Sequence, residues 1–212
     1  YALLTSDYFP FSKTQCAVFK GTDRAVFLDK REFTGPVYTQ IEEAVDFVLR
    51  NIRRGATIDG LVRKEKYELP PEAIREMIIN AHCHRNLLDE SCIQVAVYDD
   101  RLEVTSPGGL YNGLTYEEVM NGHSKIRNKG IANIFSQMGL VEAWGSGIKR
   151  ILNAAEEYGL PKPKFQEFDN MFRVELFRNS FPMINEKENI GEASEKHRRS
   201  IGETSEVAWR TD

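Results

Sequence analysis

The clearest periodic signal in the chain lies in "GPVYTQIEEAVDFVLRNIRR". There Val37, Ile41, Ala44, Val45, Val48 and Ile52 recur every three to four positions and Pro36 suits a helix start. Before it, "YALLTS" and "TQCAVFKG" read as short strands, and "RAVFLDK" as a third strand or the turn that follows them. After it, "ATIDGLVRKEKYEL" alternates and reads as extended. Pro70 and Pro71 open a second helix over "PEAIREMIINAHCHRN", with Pro71 and Glu72 in its first turn. "CIQVAVYDDRLEVTS" is a hairpin turning at Asp99–Asp100. "PGGLYNG" breaks regular structure, and "TYEEVMNG" is a short helix with a capping box between Thr115 and Glu118. "RNKGIANIFSQMGL" predicts a helix stopped at Gly139. "WGSGIKRILNAAEEYGLP" predicts a glycine-rich turn feeding another helix, and "PKFQEFDNMFRVELFRN" a final strand pair. The pattern predicts an α/β two-layer sandwich: a mixed, mostly antiparallel sheet with helices on one face.

Beyond about Asn179 the sequence is polar and repetitive, with "IGEASE" returning as "IGETSE", and cannot bury a core of its own. The expected division is a domain over 1–178 and a charged linker or tail over 179–212. Of 212 residues, 41% are hydrophobic and 28% charged, enough apolar material for a core in one ordinary domain. A net charge of −4 argues against a strongly basic nucleic-acid surface. No run of about 20 apolar residues predicts a membrane span. Three cysteines without a regular framework favour a reducing, cytoplasmic setting. The chain starts at Tyr1 in strand-like sequence, which suggests a fragment of a longer protein.

The second helix carries an oddity. At 100° per residue Glu76, Asn80 and His84 form one stripe, opposite Ile74, Met77, Ile78 and Ala81. Asn is a poor helix-interior residue, so the stripe is either a solvated face, the better reading from spacing alone, or it meets something polar. His82 and His84 point about 200° apart, which argues against a metal cluster with Cys83 and Cys92. Three places together give a sharper reading. Glu76 and Asn80 offer a carboxylate and a hard oxygen of the kind Mg²⁺ takes. "SPGGL" follows a strand, and Gly108 and Gly109 let backbone approach a flat ligand. "WGSGIKR" places glycines and a serine before a helix, a natural phosphate site. Each also has a plain structural reading, as cap or turn.

In order and spacing, "FKGTDR", "REFTGP", "AIREMIINAHCHR", "RLEVTSPGGL", "HSKIRN" and "EAWGSGIKRI" resemble the GHKL (Bergerat-fold) ATP-binding domains. The branch they look like stands C-terminal to AlbA-type, Schlafen-like DNA-binding domains in transcriptional regulators and is often labelled RecG-related. The resemblance implies Glu76 as general base and Asn80 as Mg²⁺ ligand. It makes Ser106, Gly108 and Gly109 the first Gly-rich box, and Gly145, Ser146 and Gly147 the second. It implies a mobile lid from about Tyr111 to Ala132, with His123, Ser124, Arg127 and Asn128 as polar candidates for phosphate contact; His84 joins the nucleotide-side set. Residues 1–55 would follow a missing upstream DNA-binding domain. The implied cofactors are ATP and Mg²⁺; DNA would be met through that upstream domain, and a homodimer is left open. Ser106 stands near the acidic residue that the wider family uses toward adenine, and Asn86–Leu87 replace the branch's usual Asp-Tyr. The competing readings are an ATP-binding regulatory domain with or without hydrolysis, a degenerate non-catalytic dimerisation or interaction module, and direct DNA binding through Arg53–Arg54, Arg63–Lys66 and Lys149–Arg150. The last is disfavoured by interspersed acidic residues. Trp144, Phe135 and Cys16 read as core residues, and Lys125 and Arg127 could be surface residues.

Overall fold

In chain order the elements are β1 (Thr14–Phe19), β2 (Phe27–Phe33), α1 (Val37–Asn51), β3 (Arg54–Asp59), β4 (Val62–Tyr67), α2 (Pro71–His84), β5 (Ile93–Val97), β6 (Arg101–Pro107), α3 (Tyr116–Met120), α4 (Lys129–Gln137), α5 (Gly147–Glu157), β7 (Lys164–Phe168) and β8 (Met171–Phe177). The computed structural model describes residues 13–59, 62–140 and 147–179, with only the backbone at 56–59 and 62–65. The chain divides into two units, Tyr1–Asn179 and Ser180–Asp212. The expected strand "YALLTS", Trp144, Gly145, Ser146 and all but the first residue of the expected tail lie outside the described residues.

Six strands form one sheet in the order β2-β1-β5-β6-β8-β7. β1 and β5 run parallel, with Thr14 opposite Ile93, and the other neighbours in this sheet are antiparallel. The expected α/β sandwich with a mixed, mostly antiparallel sheet is therefore the observed architecture. β3 and β4 pair only with each other, so the stretch read as extended is a small hairpin of its own. The strand seen in "RAVFLDK" begins at Phe27 and continues to Phe33.

Local chemistry accounts for the boundaries. α1 buries Val37, Ile41, Ala44 and Val48 as the period requires, and adds Gln40 and Phe47. Pro70 caps α2 and Pro71 occupies its first turn, where a missing N–H costs nothing. In α3 the Thr115 hydroxyl accepts from Glu118 N, while the Glu118 carboxylate accepts from Thr115 N. The β7–β8 turn uses Asp169 and Asn170 at positive φ, the conformation that matches the twist of a two-residue hairpin.

α2 is the central helix. It packs on β5 and β6, on α1, and on α4 and α5. Nine of its residues are buried, Ile74, Met77, Ile78 and Ile79 almost completely. Each such side chain contributes roughly 1.5–3 kcal/mol through burial. A polar chain ties α2 to β1 and α1. Gln40 Nε2 donates to Gly35 O at 2.8 Å, so its oxygen faces Thr14 and accepts the Thr14 hydroxyl at 3.1 Å. Thr14 Oγ1 lies 3.2 Å from His82 Nε2 and, its proton already committed, accepts from that nitrogen.

Burial, aided by the nearby Arg85 charge, pushes His82 down to about 3 from an ordinary 6.5. Burial and Arg127 push His84 to about 4. A histidine of lowered folded-state pKa is neutral in the fold and gains a proton on unfolding in acid. Its stabilisation is complete above pH 6.5 and is lost as pH falls toward the folded value. Between pH 7 and 4 the melting temperature should drop, with His82 responsible for on the order of 3 kcal/mol. In His82→Gln the melting temperature should fall less steeply over that interval; parallel profiles for variant and wild type would refute the assignment.

Candidate functional site

The polar stripe of α2 does not face solvent. Glu76 is 6% exposed, and the neighbour that covers it is the start of α5. A Cβ built at Gly147 would stand 2.6 Å from Asn80 Nδ2 and would overlap the Glu76 carboxylate. Asn80 Nδ2 donates to Glu76 Oε1 at 3.2 Å, and Arg150 Nη1 lies 3.6 Å from Glu76 Oε2. Both carboxylate oxygens are therefore engaged, next to the positive end of the α5 dipole. Each of these lowers the several kcal/mol that burying a bare carboxylate would cost. With its amide nitrogen turned to Glu76, Asn80 keeps Oδ1 as an acceptor.

Beside this pair lies a cavity of about 120 Å³ bounded by α2, the strand ends, the 108–125 segment and α5. Its floor is apolar, from Met77, Val104, Ile151, Phe165, Phe172 and Val174, and its polar rim includes Asn80, His84, Ser106 and Ser124. The volume is below the roughly 300–1,000 Å³ of sites that enclose a drug-sized ligand. It accommodates part of such a ligand unless the overlying segment shifts. Ser106 is 5% exposed, and its hydroxyl donates to Ala81 O at 3.2 Å, so only oxygen lone pairs remain for a ligand.

The turn after β6 is built by close approach. Gly108 has φ +98°, and a Cβ there would meet Asn86 and Arg127 at about 3 Å. At Gly109 a Cβ would collide with the Glu167 carboxylate, which accepts from Leu110 N at 3.0 Å. Arg127 donates to Gly109 O at 2.7 Å, and its guanidinium lies 4.9 Å from the Tyr111 ring centre. Lys125 Nζ donates to Asn112 O at 2.9 Å. Asn128 begins α4; its N donates to Cys83 O and its side-chain amide to Arg85 O at 2.7 Å. The segment from Tyr111 to Asn128 thus folds over the cavity, fastened at Gly109 and at the end of α2.

Of the residues singled out by sequence, Asn80, His84, Ser106, Gly108, Gly109, His123, Ser124 and Gly147 line one cavity. Glu76 stands behind it, against Asn80 and Gly147, and opens instead on a polar cleft shared with Arg150 and Asn153. Arg127 and Asn128 bond the backbone that shapes the cavity and do not line it. Gly145 and Ser146 are outside the described residues. Sequence reasoning named Arg150 only as half of a basic pair, without its contact to Glu76, and did not single out Glu167. Arg150 sits three residues after Gly147, one helical turn along, and that spacing could have revealed it; Glu167 carries no local signal. Cys83, at the back of α2, is pushed up to about 12 by burial and by Glu76, which leaves it a protonated core thiol.

Comparison with known proteins gives a match over part of the chain. Residues 90–176 match the protein-family model HATPase_c_4, described as "Putative ATP-dependent DNA helicase recG C-terminal". The resemblance to a RecG-related, ATPase-type domain holds over that stretch, which runs from β5 to β8 and spans both glycine-rich segments. It begins after α2, so the Glu76–Asn80 pair is placed by the structure alone. The fold is similar to that of the DIP2311 protein from Corynebacterium diphtheriae, with a TM-score of 0.72 and 23% identity over 79% of this chain. The chain spans 35% of that protein's length. No curated protein matches the chain.

Gly147→Ala should push α5 off Glu76 and Asn80, because backbone start and buried side chains cannot both yield. A loss of about 1–3 kcal/mol in denaturant unfolding is expected. Gly109→Ala should lose less, since the Glu167 carboxylate can swing away at the expense of one hydrogen bond. Equal losses for the two variants would contradict this ranking.

Proposed function

We propose that this domain binds ATP with Mg²⁺ and is built to hydrolyse it. The observation that carries the reading is the contact of Gly147 with Glu76 and Asn80 at the edge of an apolar cavity. It joins a helix N-terminus, an oxygen donor and a buried carboxylate at one point. The base would lie on the apolar floor, with the Gly108–Gly109 turn against one face and the Ser106 oxygen accepting from an exocyclic amino group. The neutral His84 imidazole can donate or accept at that edge. Phosphates would run toward Gly147, where backbone N–H groups and the helix dipole favour negative charge. Asn80 Oδ1 suits Mg²⁺. Among the described residues no three His, Cys, Asp or Glu side chains converge on a metal, so the remaining ligands would be phosphate and water, as that ion prefers. When bound, the ion supplies charge neutralisation and alignment of the phosphates. Glu76 accepts the proton of an attacking water. The Arg127 clasp holds the Gly108–Gly109 turn against the overlying segment, and that segment excludes bulk solvent.

In this reading the domain is the nucleotide-responsive part of a larger, cytoplasmic DNA-acting regulator, whose DNA contacts lie in another segment. Ser106 favours a second reading. An uncharged acceptor holds a base amino group less firmly than a carboxylate does, which suits a domain that binds nucleotide weakly and acts as an interaction module. Titration with Mg-ATP should give saturable binding that Asn80→Ala weakens at least tenfold, by loss of a metal ligand. Equal weak binding by both proteins would remove the ATP reading. Glu76→Gln should bind ATP but turn it over at least about 100-fold more slowly, the scale of general-base catalysis; undiminished turnover would leave the interaction module.

A further inference from the structure

Glu76 sits between two spaces. Through Asn80 and Gly147 it touches the apolar cavity. On its other side is an open polar cleft of about 400 Å³, lined by Glu72, Arg75, Arg150, Asn153 and Glu157 between α2 and α5. A carboxylate buried this deeply is oriented by what holds each oxygen. Asn80 holds Oε1; Arg150, on the cleft side, stands 3.6 Å from Oε2. That separation is an ion pair rather than a tight hydrogen bond, so Oε2 feels the guanidinium charge while Glu76 itself lines the cleft. The Arg150 side chain is 37% exposed, which leaves its outer face in solvent. Gly147 and Arg150 share the first turn of α5, so the backbone that presses on Asn80 and the cation that faces Oε2 move as one piece.

From this geometry we infer that Arg150 is the positioning residue for Glu76: it holds the carboxylate between the nucleotide cavity and the polar cleft, and the cleft is the solvent route by which the proton taken up by Glu76 leaves. The inference rests on the general-base reading above. In the balanced step water gives a proton to Glu76 as its oxygen attacks phosphorus and the bond to the leaving phosphate breaks. The carboxylic acid so formed returns the proton to water in the cleft. Arg150 exchanges no proton and touches no substrate; it sets where Oε2 points.

The test compares the 212-residue protein with Arg150→Met and Arg150→Lys in three measurements: Mg-ATP turnover, Mg-ATP binding by titration, and the NMR signal of the Asn80 side-chain amide without nucleotide. Arg150→Met should lower kcat about tenfold while the Kd changes by less than about twofold, and should shift the Asn80 amide signal because its acceptor has turned. Arg150→Lys should restore most of the turnover and the signal. Melting curves identify a variant that fails to fold, and in that case Arg150→Gln replaces Met. The inference is overturned by unchanged kcat and signal in Arg150→Met, by an affinity loss that tracks kcat, or by a lysine variant no better than Met. Absence of turnover in the wild type would sink the hydrolytic reading alone. The amide signal then decides: movement in Met with recovery in Lys sustains the positioning role, and a signal indifferent to both removes it.

Discussion

The carboxylate of Glu76 is a charge buried in the middle of the helical layer, and the arrangement around it follows from the need to keep it there. An amide on its own helix, a cation from α5 and the N-terminus of that same helix all converge on it. Each of them lowers the cost of desolvating a charge. Gly147 has to be glycine because a side chain would occupy the space of this cluster. The close seat of α5 on α2 then forms one wall of the cavity, whose floor is the underside of the sheet. Packing and chemistry are thus the same contacts seen from two sides.

The segment above the cavity is held by a different principle. It has a short helix, several residues at positive φ and two buried apolar anchors, Leu114 and Val119. Arg127 gives it definition by bonding a backbone carbonyl and lying over an aromatic ring. Asn128 anchors the far end where α4 begins.

Much of this was legible in the sequence because it depends on local rules. The period of α1, the prolines of α2, the capping box at Thr115 and the alternating hairpin strands around Asp99–Asp100 are decided by neighbours within a few residues. The stripe of Glu76 and Asn80 could be read as a stripe, but spacing cannot tell solvent from a second helix, and it was the second helix. What stayed hidden depends on tertiary approach: Arg150 meeting Glu76, Glu167 closing on Gly109, and the Gln40–Thr14–His82 chain that joins three elements. His82 entered the sequence reading only as part of a disfavoured metal cluster, yet it is the end of a buried relay that locks its own tautomer. The β3–β4 pair was seen as extended without its partner, since pairing is a non-local choice.

The sheet order has a consequence for how the molecule is assembled. Thr14 must wait for Ile93 before the parallel seam between β1 and β5 can close, with two helices and a hairpin made in between. Chain-entropy arguments place such a distant pairing late. Until it forms, the edges of β1 and β5 stand open side by side with their apolar rows uncovered. During synthesis, then, the helices precede the seam they will roof, and the interval before it shuts is when this protein is most exposed to wrong partners.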